Sequence, residues 1–271
     1  MIEPEALKGC CAAAYSTDLV ALLLGDSYHP GGLALTRRLA DATGIGPGND
    51  VLDVASGRGT SALLLARERG ARAVGVDLSA ANVALATGAA DAAGLTGQVR
   101  FEVGDAERLP VADASIDTVL CECALCTFPD KTTAVAEIAR VLRPGGSVGI
   151  TDVTVDPGRL PAELSTLGAW IACVADARPA VGYAALLTGA GLRVTGIERH
   201  DSTIGRLIDQ IEARLEFLRL TAPRRLQANG VDQSRTRETL AAARRAVSDG
   251  VLGYVLIVAH KPDPATTGHD R

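Results

Sequence analysis

Short apolar runs alternate with helical stripes along most of this chain, and the pattern is clearest between Val51 and Asp77. Val51-Leu52-Asp53-Val54 is a brief apolar run carrying one acid near its end. Ala55-Ser56-Gly57-Arg58-Gly59 breaks it with two glycines. From Thr60 to Arg69 the spacing turns helical, with Leu63, Leu64 and Ala66 on an apolar face and Arg67 on a polar one. Gly70 then stops the helix as a glycine at C′ does. Ala73-Val74-Gly75-Val76 is a second apolar run, ending at Asp77. The pattern predicts strand, turn, helix, strand. The right-handed crossover of such a βαβ unit sets its turn at the carboxyl edge of a parallel sheet.

The same reading extends in both directions. A helical stretch opens at Cys10-Cys11, continues through Leu23 and is broken by Gly25 to Gly32. A helix is expected over Leu33 to Thr43. Ser79 to Gly94 reads as the second crossover helix, with Ser79 a candidate N-cap. Strands are expected at Val99–Val103, Ile116–Cys121, Ser147–Val153, Leu192–Arg199 and Tyr254–Ala259. Helices are expected at Thr132–Leu142, Leu164–Ala175 and Gly182–Gly191. About fifty residues separate the last two strands, and Ile204–Leu218 and Arg235–Val247 within them have helical periodicity. That stretch is too patterned for a structureless loop. It reads as a helical cap beside the active site or as a dimer surface, with Arg224 and Arg225 solvated.

Composition narrows the class. The 271 residues suffice for one large domain. With 47% hydrophobic but only 3% aromatic residues, the core must be built from Ala, Val and Leu. A net charge of −5 without a Lys/Arg block argues against nucleic acid as a partner. Apolar stretches fall far short of the roughly 18 residues that a membrane span needs. Met1 to Glu5 does not begin like a signal peptide, so a cytoplasmic enzyme is expected, monomeric or homodimeric, and its six cysteines are expected as thiols.

The glycine turn and its acids point to a ligand. A turn without side chains lets a ligand approach the backbone, and the helix after it presents free N–H groups and a positive dipole end. Asp77 stands where an acid accepts ribose hydroxyls. Asp53 would repel a pyrophosphate but suits a cation, and a third acid, Asp105, follows the third strand. An adenosine bearing an amine and a sulfonium, S-adenosylmethionine, fits three acids better than NAD does.

Four ordered stretches carry a family resemblance: D-V-A-S-G-R-G (Asp53–Gly59), G-V-D-L-S (Gly75–Ser79), G-D-A-E-R-L-P (Gly104–Pro110) and A-E-I-A-R-V-L-R-P-G-G (Ala136–Gly146). The chain resembles class I S-adenosylmethionine-dependent methyltransferases, with Ala55 replacing a glycine that the family often has. The resemblance implies an α/β fold, a doubly wound, seven-stranded, mostly parallel Rossmann-like sheet, with the helical stretch inserted between strands six and seven. It implies residues 1–35 as an N-terminal helical segment over the active site and 36–260 as the methyltransferase domain. The insertion lies at about 201–250 and a flexible tail covers 261–271. It also implies Asp53, Ala55, Gly57, Gly59, Asp77, Leu78, Asp105, Ala106 and Glu122 as cofactor-binding residues. The loop with Tyr28 and His29 reads as a helix–helix turn or as a contributor to a substrate pocket.

A second informative stretch leaves strand four: Cys121-Glu122-Cys123-Ala124-Leu125-Cys126-Thr127-Phe128-Pro129-Asp130-Lys131. On a continuing strand, Cys121 and Cys123 share one face and Glu122 takes the other. Thiols there suit a structural zinc, a redox pair, or capture of a thiophilic element. The run E-C-A-L-C-T-F-P-D-K is similar to a loop of trivalent arsenic methyltransferases, in which Cys123 matches an arsenic-binding cysteine. Cys173, after Trp170, resembles a second one. This implies arsenite as the metalloid substrate, held by Cys123 and Cys173 with Cys126, Cys10 or Cys11 as a third ligand. Thr60-Ser61 stands where many members carry a further cysteine.

Two other functions compete. One is methylation of a small organic acceptor of the quinone or natural-product type. An oxygen acceptor would want a base, and no motif surrounds His29, His200 or His260. The other is cofactor or metalloid binding without turnover.

Overall fold

The computed structural model describes residues 8–9, 22–25, 28–164, 174, 176–228 and 231–263. The elements are α1 (Gly32–Thr43), β1 (Asp50–Val54), α2 (Thr60–Arg69), β2 (Arg72–Asp77), α3 (Ala80–Ala92), β3 (Val99–Val103), β4 (Ile116–Glu122), α4 (Lys131–Val141), β5 (Leu142–Val155), α5 (Ala180–Gly189), β6 (Arg193–Arg199), α6 (Ser202–Thr221), α7 (Pro223–Ala228), α8 (Gln233–Ser248) and β7 (Leu252–His260). The sheet has seven strands in the order β3-β2-β1-β4-β5-β7-β6. β7 runs antiparallel to both β5 and β6, and the other pairings are parallel. This is the doubly wound, mostly parallel sheet that the βαβ pattern requires.

Strand parity divides the core between the two faces. Leu120, Tyr254 and Leu256 pack with Leu35 and Leu39 of α1, Leu65 of α2, Ile204 and Ile208 of α6, and Ala242 of α8. Leu52, Val119, Cys121 and Ile257 pack on the opposite face with Ile138 of α4 and Tyr183 of α5. The insertion between β6 and β7 is therefore helical and shares the core of the first face. Phe217 and Leu220 of α6 stand exposed. Among the described residues, no helix is long and apolar enough to cross a membrane.

Three boundaries differ from the sequence pattern. β5 begins at Leu142 rather than Ser147, because Arg143-Pro144-Gly145-Gly146 forms an irregularity inside it. Ile116 pairs with Leu142 and Thr118 with Ser147, so the intervening residues bulge. The expected tail is anchored at its start: Lys261 exchanges backbone hydrogen bonds with Gly145 and Gly146, and its Nζ donates to Ala139 O and Leu142 O at 2.7 and 2.8 Å. The insertion holds a third short helix, α7, which Pro223 opens. The expected helices over Cys10–Leu23 and Leu164–Ala175 fall mainly outside the described residues.

The strand order reverses between β1 and β4. In open α/β sheets such a switch point leaves a crevice at the carboxyl ends of the strands. The chemically distinctive residues lie there.

Candidate active site

A cleft of about 1190 Å³, open to solvent at one side, sits over the carboxyl ends of β1, β2 and β4. Its floor is the turn after β1. Ala55, Gly57 and Gly59 all have left-handed backbones, with φ of 57°, 54° and 79°. Glycine adopts that region without penalty, whereas Ala55 pays roughly 1–2 kcal/mol. The two glycines serve different ends. A Cβ on Gly59 would meet Phe101 Cζ at 2.4 Å, so Gly59 permits close packing. A Cβ on Gly57 would meet nothing within 4 Å and would stand in open space.

Asp77, at the end of β2, ties the turn in place. It accepts hydrogen bonds from Gly57 N and Ser79 N, both at 2.8 Å, and from Asn82 Nδ2 at 3.3 Å. Ser79 caps α3, accepting from Asn82 N. Asp53, at the end of β1, is buried. Burial pushes its pKa well up, and the nearby charges of Glu122 and Asp77 push it further, against one hydrogen bond from Ala62 N–H. Among the described residues, the buried oxygens Asp53 Oδ2, Ser56 Oγ and Asn82 Oδ1 find no hydrogen-bond partner. All three residues line the cleft. Buried oxygens carry a desolvation cost until something donates to them, so the cleft suits a ligand with hydroxyl donors and positive charge. Those are the features of S-adenosylmethionine, and the residues fit it. Leu78, 39% exposed, and Ala106 add apolar surface beside Asp77 and Asp105.

One contributor, Lys8, was not legible in the sequence. Lys8 lies in the N-terminal segment where no motif marks it, and its Nζ lies 2.8 Å from Asp105 Oδ2 and 2.6 Å from Glu107 Oε2. Burial works to lower the Lys8 pKa, but the two carboxylates override it and raise it. Tyr28 and His29 line the cleft, so their loop is more than a helix–helix turn. The Arg58 guanidinium lies over the Tyr28 ring, 5.8 Å from its centroid. Arg58 belongs to the glycine turn itself, and the fold brings Lys8, Tyr28 and His29 to it.

Glu122 is not an exposed acid. Its carboxylate, 4% exposed, accepts from Thr36 Oγ1 at 3.1 and 3.2 Å and from Ser61 Oγ at 2.7 Å, with His29 Nε2 3.6 Å away. The polar pair Thr60-Ser61 thus places a hydroxyl on this acid.

The cysteines separate. Cys121 is fully buried in the core of one face, where burial and the Asp152 charge raise its thiol pKa well above the usual range. β4 ends at Glu122, and Cys123 turns the chain with a φ of 54°, so Cys121 and Cys123 do not share a face. Cys123 is half-buried, packs against the opposite core and lines the cleft. A 3₁₀ turn at Leu125–Thr127 buries Cys126 to 1% exposure, and its N–H donates to Asp152 Oδ2 at 2.9 Å. Of these three thiols only Cys123 reaches the cleft. Among the described residues no three His, Cys, Asp or Glu side chains group as a metal site. Cys10, Cys11, Trp170 and Cys173 lie outside the described residues. The Phe-Pro-Asp-Lys run has structural work of its own. Asp130 caps α4 by accepting from Thr133 N, while Lys131 Nζ donates to Phe128 O at 2.9 Å and pairs with Asp176.

A family described as a methyltransferase domain matches residues 52–150. A 27-O-demethylrifamycin SV methyltransferase of Amycolatopsis mediterranei (strain S699) is 30% identical over 262 residues, covering 91% of this chain and 94% of that protein. Among solved structures, the cyclase SpnF is similar with a TM-score of 0.67 and 26% identity, covering 88% of this chain and 85% of that one. Haemonchus contortus phosphoethanolamine N-methyltransferase 2, in complex with S-adenosyl-L-methionine, shares the fold with a TM-score of 0.78. It is 19% identical, and the alignment covers 97% of this chain and 61% of that one.

Proposed function

The chain belongs to the S-adenosylmethionine-dependent methyltransferases, which act here on a small molecule, and we propose that its acceptor is a hydroxyl group on an organic compound of the natural-product type. The observation that carries this reading is the relationship along nearly the whole chain to an enzyme named for methylating an oxygen of rifamycin. The cleft agrees with it. Ala55, Ala106, Ala124, Phe128 and Pro129 give it an apolar wall suited to an organic acceptor. A thiol-held arsenic centre needs several sulfurs to converge, and of Cys121, Cys123 and Cys126 only Cys123 lines the cleft.

When bound, the cofactor supplies an electrophilic methyl group on a positively charged sulfur. The chain's own residues do the rest. Gly57 leaves the space in which the ligand meets the backbone. With the cofactor bound, Asp77 would accept from its ribose hydroxyls and Asp53 would offset its positive charge. Asp105, paired with Lys8, and the apolar Leu78 and Ala106 would hold its adenosine part. Tyr28, His29 and Phe128 line the cleft. Alignment and water exclusion supply most of the rate, up to about 7–11 kcal/mol in well-oriented systems.

The test is release of S-adenosylhomocysteine with 27-O-demethylrifamycin SV and a panel of hydroxylated quinones, set against arsenite. Turnover is expected with a hydroxylated acceptor and not with arsenite, and Cys123→Ser should keep it within a few-fold. Arsenite methylation lost in Cys123→Ser would overturn the hydroxyl reading. Conversion of an acceptor without S-adenosylhomocysteine would place the chemistry nearer the cyclase.

A further inference from the structure

Lys131 stands where a lysine is doubly unfavourable. It opens α4 beside the N-cap Asp130, where the helix dipole disfavours a positive charge. Its side chain is only 4% exposed, and burying an ammonium is costly unless it is paired and hydrogen-bonded. The helix itself does not call for it. Asp130 caps α4 through Thr133 N, and Ala134, Val135, Ile138 and Val141 supply the buried face. Lys131 Nζ instead reaches out of the helix. It donates to Phe128 O at 2.9 Å and pairs with the Asp176 carboxylate.

The two ends of this link have different footings. Asp176 sits between Val174 and Ala177, which are buried in the core of the first face. The nearby Arg178 is tied to β5, its carbonyl accepting from Val155 N at 3.4 Å, and its N–H donates to the hydroxyl of the buried Tyr183 at 3.2 Å. Phe128 lies in the turn between β4 and α4 and lines the cleft with Thr127 and Pro129. That turn is held at Cys126 by Asp152 and at Asp130 by Glu107, each through a backbone N–H at 2.9 Å. Between those points Pro129 has no N–H to offer, and the Lys131 link ties Phe128 to a fixed part of the core. From this we infer that Lys131 is a positioning residue: through Asp176 it fixes the Phe128–Pro129 wall against which an organic acceptor lies, and so sets which acceptors fit. The inference rests on the organic-acceptor reading above. The acids assigned to the cofactor, Asp53, Asp77 and Asp105, have other neighbours, so loss of the link should spare cofactor binding.

The experiment compares wild type, Lys131→Met, Asp176→Asn and the double variant. Amide hydrogen exchange reads the wall without any acceptor. Exchange at Thr127 and Phe128 should quicken about tenfold in either single variant, while β4 and the body of α4 keep their rates. A misplacement of about 1 Å can cost about 10²-fold. So kcat/KM for whichever hydroxylated acceptor wild type converts, 27-O-demethylrifamycin SV or a hydroxylated quinone, should fall about 10- to 100-fold, mostly through KM. The KM for S-adenosylmethionine and the Kd of S-adenosylhomocysteine should stay within about twofold, which a general loss of structure would not allow. The double variant should do no worse than Lys131→Met alone, since its second change breaks a link already lost. Unchanged exchange at Thr127 and Phe128 would overturn the inference whatever the acceptor. So would an acceptor KM that stays at the wild-type value, or a cofactor affinity that weakens as much as the acceptor's. If wild type methylates no hydroxyl at all, the acceptor reading has failed and takes this inference with it, a result distinct from the others.

Discussion

Gly57 and Gly59 stand two residues apart, both left-handed, yet the space beside each asks for a different experiment. Gly59→Ala would drive a methyl into Phe101 and Ala86. The backbone penalty of roughly 1–2 kcal/mol joins a steric one of about 1–3 kcal/mol, so urea unfolding should show a loss of about 2–5 kcal/mol. Gly57→Ala carries only the backbone part, and its methyl projects into the cleft. It should keep most of the stability while weakening S-adenosylhomocysteine binding at least about tenfold (~1.4 kcal/mol), as calorimetric titration would show. Equal effects of the two variants on stability would contradict this division. Asp53 adds a pH dependence. Its folded pKa is raised by burial and by Glu122, so the folded state holds a proton that the unfolded chain has lost. Stability therefore falls as pH rises from the ordinary aspartate pKa of about 3.9 up through the raised folded value. Asp53→Asn removes that cost. Its gain in melting temperature should be absent at about pH 4 and grow toward neutrality, with cofactor binding weakened. A gain largest in acid would contradict the assignment.

At the scale of elements, the insertion between β6 and β7 divides into a core face and a solvent face. Ile204 and Ile208 of α6 pack with Leu35 of α1 and Tyr254 of β7. Ile208→Ala should cost about 2–5 kcal/mol and shift a single unfolding transition. Arg244 of α8 pairs with Asp209 and Glu212 on the exposed side, each at 2.7 Å. Arg244→Ala should cost less than about 1 kcal/mol. A separate early transition for the helices would show that the insertion folds apart from the sheet. Periodicity made these helices readable, because both were long enough to show an apolar stripe. The strands were readable from their apolar runs, and the acids at their ends from position alone. The cysteine loop was not readable in the same way. A period of two holds only while a strand continues, and the left-handed residue at Cys123 ends it. Spacing therefore put Cys121 and Cys123 on one face, and the turn sends them to opposite cores. Asp130 and Lys131 likewise have local structural partners that spacing does not reveal.

For the whole molecule, the sheet order settles what meets what. The reversal between β1 and β4 brings the glycine turn, Asp77 and Glu122 to one edge. The chain N-terminal to β1 adds Lys8, Tyr28 and His29 to the same place. Motifs disclosed the half of the cleft made by β1 and β2 because turn chemistry is local. They were silent on Lys8, which long-range packing brings to the cleft from a stretch without a motif. We propose that this cleft transfers a methyl group to oxygen. The most direct measurement uses S-adenosylmethionine labelled with carbon-13 in its methyl group, with 27-O-demethylrifamycin SV and hydroxylated quinones as acceptors. The expected product is 14 Da heavier than its acceptor, apart from the label, with the labelled carbon bonded to oxygen by NMR. The label on arsenic or sulfur, or left entirely in the cofactor, would contradict it.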